Sequence, residues 1–422
     1  MSKFNEVLAR NINNVPKSIL GFSQTVAFSH YNNLSAQLPI DNNGHIVSND
    51  INQQTMQCFK NIETILLGIN HNLNDVVRLT IFVKAQEYIE TVISVIKSIY
   101  SEYKPTVTFL VVKDIPMNAL VQIEAVVSNG IGTIPNAPQA GDLSKVVSNV
   151  NSAPQNDFSN QSVAFSHYNH LSAQLPIDVH TNQIIGNSVS DQLKQALQNV
   201  KNILIGMDIP FDDIVKVNIY ATSIKELPAI KAIYKTFFPD SAIARAENYL
   251  PALSINQVDG LLWGAKVQVE VVVSHGDGTP PQLVEDRHGI VIWPSNCSKV
   301  AINELSTHSV AFSHYNNISE IFPTNSKNQV VSGDVSEQFK QCLHNLKAIV
   351  KNIDHDINDV VKLNIFVKDI NVISQFKGVL EKFFDTLPAG RIIAVSDLGS
   401  NDVLVKIDAI VANAEGTPPN KL

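Results

Sequence analysis

VAFSHYNNLSAQLPID, the stretch that begins at Val26, recurs as VAFSHYNHLSAQLPID from Val163 and as VAFSHYNNISEIFP from Val310. Two later segments recur with it, in the same order along the chain. DVVRLTIFVK, DIVKVNIYAT and DVVKLNIFVK form one set, and LVQIEAVVS, KVQVEVVVS and LVKIDAIVA form the other. Self-similarity of this kind determines the architecture of a chain. The sequence is therefore three copies of one unit.

The repeats divide the 422 residues into three domains. Their landmarks predict units at residues 1–135, 145–281 and 295–419, joined by polar segments that contain proline. Each unit is long enough to form its own hydrophobic core, because domains of about 100–150 residues are common. In the second unit the spacing between landmarks is longer, which predicts a hairpin insertion near residues 247–264.

Hydrophobic periodicity predicts the secondary structure of the first unit. Short strands flank the polar SHYN turn, and a helix over Ile51–Leu67 has apolar residues at the spacing of one helical face. A β-branched strand, a second amphipathic helix and two closing strands follow, at 76–83, 89–99, 107–112 and 120–127. The order ββαβαββ predicts an α+β domain with both helices on one face of a mixed sheet. The neighbouring copies would cover the other face, about a pseudo-threefold axis.

Composition excludes several classes of protein. With 44% hydrophobic and 17% charged residues, the chain is not a disordered protein, and it has no apolar run of membrane-spanning length. Its first residues lack the apolar segment of a secretory signal. Three cysteines are too few for a disulfide framework, and the net charge of −8 argues against nucleic-acid binding. We expect a cytoplasmic protein without membrane or nucleic-acid partners.

The repeated sequence motifs resemble those of the Rid family (reactive intermediate deaminases, YjgF-like, also described as endoribonuclease L-PSP-like). The matching pieces are S-A-Q-L-P-I-D after a hairpin, D-V-V-K-x-x-I-F-V-K, and Q-I-E-A-V-V. The resemblance implies a chorismate-mutase-like fold that forms trimers with ligand clefts between subunits. Three fused copies would then form an intramolecular pseudo-trimer, monomeric in solution or weakly dimeric.

The same resemblance implies a function and its site residues. Rid proteins hydrolyse enamines and imines of 2-amino acids to 2-oxo acids and ammonia, without a cofactor. An arginine would bind the carboxylate of the substrate, because a planar guanidinium matches a carboxylate in two hydrogen bonds. Backbone groups of the S-A-Q loop would position the imine, at Ser35 and Ala36 in the first copy and at Ser172 and Ala173 in the second.

The arginine position has two possible registers. Counting seven residues from the end of the second helix places Val107, Arg245 and Arg391 there. Counting back from the closing-strand acid Glu270 places Leu253, not Arg245, at the site in the second copy. The first register predicts substrate binding by Arg245 and Arg391. Both registers leave the first copy without an arginine.

The position of the family's catalytic glutamate holds Gln122, Gln268 and Lys406. A glutamine can orient a water but cannot act as a carboxylate base, so Gln268 and Gln122 are candidate catalytic residues of a weak enzyme. Two residues further on, every copy has an acidic residue. If this residue has a purely structural role, we expect it to pair with a group across the domain interface. The third copy has Glu320 where the loop has alanine in the others, which disfavours carboxylate binding there.

Three functions are consistent with these residues: an imine deaminase with one or two working clefts, a small-carboxylate binding protein that has lost turnover, and a purely structural pseudo-trimer. The substrates or ligands would be small 2-imino or 2-oxo acids. We expect no metal or other cofactor. His30, His167 and His314 follow the repeat, and they are either hairpin tips with local hydrogen bonds or a metal site on the axis.

Overall fold

The computed structural model describes residues 7–129, 145–238, 250–274 and 292–413. It confirms the predicted α+β fold, with one topology in all three units. Unit 1 contains β1 Leu8–Arg10, β2 Thr25–Phe28, β3 Tyr31–Leu34, α1 Ile51–Gly68, β4 Val76–Val83, α2 Ile89–Ile99, β5 Thr106–Val111 and β6 Val121–Ser128.

The other two units repeat these elements. Unit 2 contains β7 Val146–Ser148, β8 Ser162–Phe165, β9 Tyr168–Leu171, the short pair β10 Ile177–Asp178 and β11 Gln183–Ile184, α3 Val189–Gly206, β12 Ile214–Ala221, α4 Leu227–Tyr234, β13 Ala252–Gln257 and β14 Val267–Ser274. Unit 3 contains β15 Trp293–Ser295, β16 Ser309–Phe312, β17 Tyr315–Ile318, α5 Val335–Asn352, β18 Val360–Val367, α6 Lys377–Phe383, β19 Ala389–Ala394 and β20 Val405–Ala412.

Each unit has a six-stranded sheet, which in unit 1 has the order β1-β2-β3-β6-β4-β5. The β4–β5 pair is parallel, because α2 carries the chain back between them, and the other pairs are antiparallel. The short first strands β1, β7 and β15 were not predicted from the sequence. They have three residues each and no alternation that sequence reasoning could use.

The long helix of each unit begins at a polar cap and lies on one face of the sheet. Asp50, Ser188 and Asp334 accept a hydrogen bond from a backbone N–H in the first turn, which satisfies an otherwise unpaired donor. The apolar faces of these helices are buried against the sheet, so each unit has its own core. In the part of the chain that the structure describes, no helix is long and apolar enough to cross a membrane.

The glycine that ends the long helix has a packing role. A Cβ on Gly68 would lie 2.4 Å from the side chain of Ile12, and one on Gly206 would lie 2.5 Å from Val150. The segment after the first strand therefore crosses close over the helix end. Unit 3 has Asn352 at this place, and its side chain donates a hydrogen bond of 3.0 Å to Ser295 Oγ instead.

The opposite faces of the three sheets meet at the centre of the molecule. Tyrosines link the units in cyclic order: the Tyr31 hydroxyl donates to the Phe165 carbonyl, and the Tyr168 hydroxyl donates to the Phe312 carbonyl. The cycle closes where the Tyr315 hydroxyl donates to a unit 1 carbonyl over 2.6 Å. The three tyrosine rings lie 6.1 Å apart between centroids. Each unit therefore contacts both of the others within one chain.

Because the interfaces between units are satisfied internally, we expect the purified protein to be monomeric. Sedimentation equilibrium should give a mass near that of one chain, 46.3 kDa. Weak association of whole molecules into dimers at high concentration is compatible with this arrangement. An obligate assembly of three chains would contradict it.

Candidate functional site

Three clefts lie between the units, and the same two hydrogen bonds occur in each. In cleft A, between units 3 and 1, the Gly390 N–H donates to Ser35 Oγ over 2.8 Å. The Ala36 N–H then donates to the Gly390 carbonyl over 3.1 Å. The edge strand β19 of unit 3 is thus held against the S-A-Q loop of unit 1. Ser35 fixes this contact, because its own hydroxyl donates to the Ser23 carbonyl over 2.6 Å.

Clefts B and C repeat this arrangement. In cleft B, between units 1 and 2, the Val107 N–H donates to Ser172 Oγ over 2.9 Å, and the Ala173 N–H lies 3.4 Å from the Val107 carbonyl. In cleft C, between units 2 and 3, the Leu253 N–H donates to Ser319 Oγ over 2.9 Å. The predicted loop residues therefore do lie at the interfaces between units. Their polar groups are already used to hold a neighbouring edge strand.

No arginine occupies the strand position that faces these serines in any of the three described clefts. That position holds Gly390, Val107 and Leu253. Arg391 is the next residue along β19, and side chains of successive strand residues point to opposite faces. The arginine therefore points away from the serine of cleft A and into the interior of the molecule.

The strand register corrects the alignment made from the sequence. Arg391 lies beside Asn364 of β18, and the equivalent position in unit 1 is Thr108, beside Thr80 of β4. In unit 2 it is Ser254. Counting from the helix end had instead matched Arg391 with Val107. It was wrong by one residue, because the helix-to-strand connection is longer in unit 1 than in unit 3.

The second register question concerns unit 2. The edge strand β13 begins at Ala252 and places Leu253 opposite the serine of cleft C. Since Ser254 is the equivalent of Arg391, the alternative register was also off by one residue. The extra residues of this unit precede β13 and do not lie in the β13–β14 hairpin, where the sequence had placed them. Arg245 lies outside the described residues.

Arg391 belongs to a buried ion-pair network between units 3 and 1. It is 4% exposed, and its Nη1 donates to Glu124 Oε1 over 2.8 Å. Its guanidinium also lies over the rings of Phe82 and Phe366, at 4.9 and 5.2 Å from their centroids. Lys362 Nζ lies 3.2 Å from the other oxygen of the same carboxylate. Burial lowers the pKa of Lys362 to about 8, although Glu124 opposes this shift.

The same network continues around the molecule. Glu270 of unit 2 pairs with Arg78 of unit 1 at 3.0 Å, and Asp408 of unit 3 lies 3.9 Å from Lys216 of unit 2. Each closing-strand acid thus pairs with a cation of a neighbouring unit, as in the structural interpretation of these acids. Arg78 is 8% exposed, so this pair is buried as well.

Cleft A is filled by an aromatic ring. A Cβ on Gly390 would lie 2.7 Å from two ring atoms of Phe22, so the ring occupies the space that a side chain at 390 would need. Phe22 is 1% exposed. Gln122 of the same unit is fully buried, and its side-chain amide has no hydrogen-bond partner. Phe22 therefore takes the place that a side chain at residue 390 would occupy in this cleft.

Cleft B is closed in a similar way. The ring of Phe158 packs edge-on against Phe109, with 5.8 Å between centroids. Gln268 is held by this strand, since its Nε2 donates to the Phe109 carbonyl over 3.0 Å. A cavity of about 510 Å³ lies beside Phe158 and is lined also by Trp263, but Ser172 and Gln268 do not line it.

Cleft C contains a cavity of about 400 Å³ that reaches its serine loop, with Lys231, Ile255, Ser306, His308, Ser319 and Glu320 among its lining residues. Lys406 lies behind it, 2% exposed. Its Nζ donates to Glu320 Oε2 over 2.8 Å and to the Ile255 carbonyl over 2.5 Å. Lys406 and Glu320, the two residues at which unit 3 differs from the repeat pattern, therefore form one ion pair. Cleft C therefore combines a cavity that reaches its serine with charged side chains.

The fold agrees with what the chain is similar to. A family model described as endoribonuclease L-PSP matches residues 12–129, 150–275 and 300–413. The chain belongs to this family, the Rid family. It carries three tandem Rid units, and each cleft is formed by two of them.

Curated Rid relatives match single units. A RutC family protein of Pyrococcus horikoshii is 33% identical over 114 residues, which is 27% of this chain and 90% of the relative. A 2-iminobutanoate/2-iminopropanoate deaminase of Salmonella typhimurium is 38% identical over 92 residues, 21% of this chain and 71% of the relative. A crystal structure of a chorismatase covers 80% of this chain and 93% of its own, with a TM-score of 0.54 and 12% identity, and so shares the fold.

The three cysteines also have defined places. Cys58 and Cys342 are buried in the cores beneath the long helices, and Cys297 is 3% exposed. Its N–H donates to His308 Nδ1 over 3.1 Å, and the other nitrogen of that ring lies 2.9 Å from the Ala301 carbonyl. His308 therefore has a structural role at the edge of the cleft C cavity.

Proposed function

We propose that this Rid protein hydrolyses small 2-imino acids to 2-oxo acids and ammonia, and that it does so in cleft C alone. The observation that carries the proposal is the Lys406–Glu320 pair beside a cavity of about 400 Å³. Curated relatives named as 2-iminobutanoate/2-iminopropanoate deaminases support this chemistry at the level of the family. Clefts A and B are structural in this proposal, because aromatic rings fill them.

The two charged groups complement the substrate. A protonated 2-imino acid carries a carboxylate next to an iminium nitrogen, so it offers one negative and one positive group. Lys406 would bind the carboxylate, and Glu320 would accept a hydrogen bond from the iminium N–H. The substrate thereby replaces one ion pair with two charge-assisted contacts, which are stronger than neutral hydrogen bonds.

The reaction needs little more than orientation. Water adds to the iminium carbon while Glu320 accepts the proton that the water loses. Glu320 then returns that proton to the amino nitrogen of the tetrahedral intermediate, and the C–N bond breaks to release ammonia. The hydroxyl proton passes to the ammonia, which departs as ammonium and leaves the 2-oxo acid. Holding the electrophile beside a positioned water removes an entropic barrier. A carboxylate within reach of that water contributes general-base catalysis. Arg391 has no part in this scheme, since Glu124 already binds its guanidinium.

We expect Lys406→Gln and Glu320→Ala each to lower kcat/KM for 2-iminobutanoate by about ten- to a hundred-fold, the cost of a lost charged contact. We expect the fold to tolerate both replacements, because unit 2 has the same residue types at the equivalent positions. Gln268 corresponds to Lys406, and Ala173 corresponds to Glu320. The imine is generated in situ by an amino-acid oxidase, and its disappearance is followed. Glu381→Gln, which alters an exposed ion pair on α6, is the matched control and should leave the rate unchanged.

The outcomes separate the alternatives. Activity that survives both substitutions together would place the reaction elsewhere. A wild-type protein that binds 2-oxobutanoate at one site per chain without accelerating hydrolysis would instead be a small-carboxylate binding protein. Absence of both binding and turnover would leave the structural interpretation.

A further inference from the structure

The three histidines of the repeat come together at one end of the central axis. Each is the second residue of a two-residue turn between the first two long strands of its unit, as at His30 between Phe28 and Tyr31. The serine before each histidine has a positive φ, between 48° and 52°. Since the units are arranged cyclically, the three equivalent turns converge.

The distances between the rings are short. The centroid of His30 lies 5.2 Å from that of His167 and 5.1 Å from that of His314, and the last two are 4.9 Å apart. One nitrogen from each ring lies within 4.8 Å of the other two. Three atoms that lie within 4.8 Å of one another have a common point within about 2.8 Å of all of them, whereas a Zn–N bond is about 2.0–2.1 Å. Each nitrogen would therefore move inward by at most about 0.8 Å to bind zinc.

The turns that present His30 and His314 are fixed by asparagine side chains. The Asn129 N–H donates to the His30 carbonyl over 2.7 Å, and its side-chain amide donates to the Ser29 carbonyl over 2.7 Å. Asn413 makes the same two contacts, of 2.7 Å each, with His314 and Ser313. Such anchoring limits the entropy that is lost when ligand side chains are ordered.

One ring nitrogen of His314 has no partner among the described residues. Its Nδ1 is buried without a hydrogen bond. Buried polar atoms are normally satisfied by protein groups, water or an ion, so this nitrogen is available to a metal ion.

We propose that His30, His167 and His314 bind one divalent transition-metal ion, of which Zn²⁺ is the representative, at the end of the central axis. Imidazole nitrogen suits zinc and its neighbours in the first transition row. Three protein ligands would leave one tetrahedral position for water. The ion would join all three units at a single point and is remote from the chemistry of cleft C.

Cobalt(II) is the first probe, because a four-coordinate Co²⁺ site absorbs visible light strongly. The metal-free full chain should bind one Co²⁺, displaceable by one Zn²⁺, and Zn²⁺ should raise its melting temperature. His30→Gln and His167→Gln should each weaken binding at least about 100-fold, more than the loss of an outer-shell partner costs. His45→Gln, at an exposed histidine, is the matched control and should bind as the wild type does.

Two results would overturn the proposal. One is a wild-type chain without a saturable Co²⁺ or Zn²⁺ site. The other is binding that both turn variants retain at full affinity, which would place the ion elsewhere. Melting temperatures measured without metal show whether each variant is folded, so weaker binding cannot be mistaken for unfolding.

Discussion

Glu124→Gln should lower the free energy of unfolding by about 3–5 kcal/mol, the typical cost of removing one partner from a buried ion pair. The carboxylate is 2% exposed and contacts both Arg391 and Lys362 of unit 3. A neutral amide in its place leaves two buried cations without a counter-charge. Urea unfolding followed by circular dichroism measures the change.

Two comparisons show whether the effect comes from the buried charge. Glu381→Gln removes a carboxylate from an ion pair whose side chains are 62% and 57% exposed, and it should cost less than about 0.5 kcal/mol. Replacing the whole cluster, with Glu124→Leu, Arg391→Met and Lys362→Met together, should restore most of the lost stability, because no unpaired charge remains. A triple variant as unstable as Glu124→Gln would refute the explanation.

The same carboxylate makes stability depend on pH. Burial alone would raise the pKa of Glu124, but Arg391 and Lys362 outweigh it and hold the pKa below its ordinary value. A carboxyl group of this kind stabilises the folded protein above its unfolded pKa, and the stabilisation is lost as pH falls through the folded pKa. The wild type should therefore lose more stability on acidification than Glu124→Gln does.

Phe22→Ala should destabilise the protein by about 3–5 kcal/mol, the usual range for deleting a buried aromatic ring. Gly390→Ala alone should cost about 1–3 kcal/mol, since its Cβ would be 2.7 Å from that ring. With Phe22→Ala already present, the new methyl group enters vacated space. Gly390→Ala should then be neutral or stabilising by up to about 1 kcal/mol. Urea unfolding of the four proteins gives the coupling energy.

Gly378→Ala is the control for the glycine substitution, because nothing lies within 4 Å of a Cβ there. It should stabilise α6 slightly, and by the same amount in both backgrounds. If Gly390→Ala were equally costly with and without Phe22, the ring would not be what excludes a side chain from cleft A. The contact between units 3 and 1 would then need a different explanation.

Much of the fold follows from the repeats and their periodicity. The strand Val76–Val83 and the helix Ile89–Ile99 have the bounds expected from a β-branched run and from helical spacing. The cyclic arrangement also follows, because each sheet has a second apolar face that a single unit cannot cover. The three-residue edge strands could not be predicted, since their pairing is set by tertiary contacts.

The clefts were harder to predict, for a geometrical reason. One residue more or less between a helix and an edge strand decides whether Arg391 or Gly390 faces the serine loop, and repeat counting cannot resolve a shift of one. The Lys406–Glu320 pair did leave a signal in the sequence. Two residues of opposite charge replace the repeat residues in the same copy. The β-bridge between Ile321 and Ile407 brings the preceding residues, Glu320 and Lys406, together.

Fusion of the three units changes what a single mutation can do. In an assembly of identical chains, any substitution appears in every cleft at once, so a ring that fills one cleft fills all of them. Here Phe22, Phe158 and Glu320 each occur once per molecule, and each acts in one cleft. The three interfaces of one molecule can therefore differ in their side chains, and a substitution in one of them leaves the other two unchanged. In a covalent trimer, each interface can therefore take a different role, as duplicated genes can.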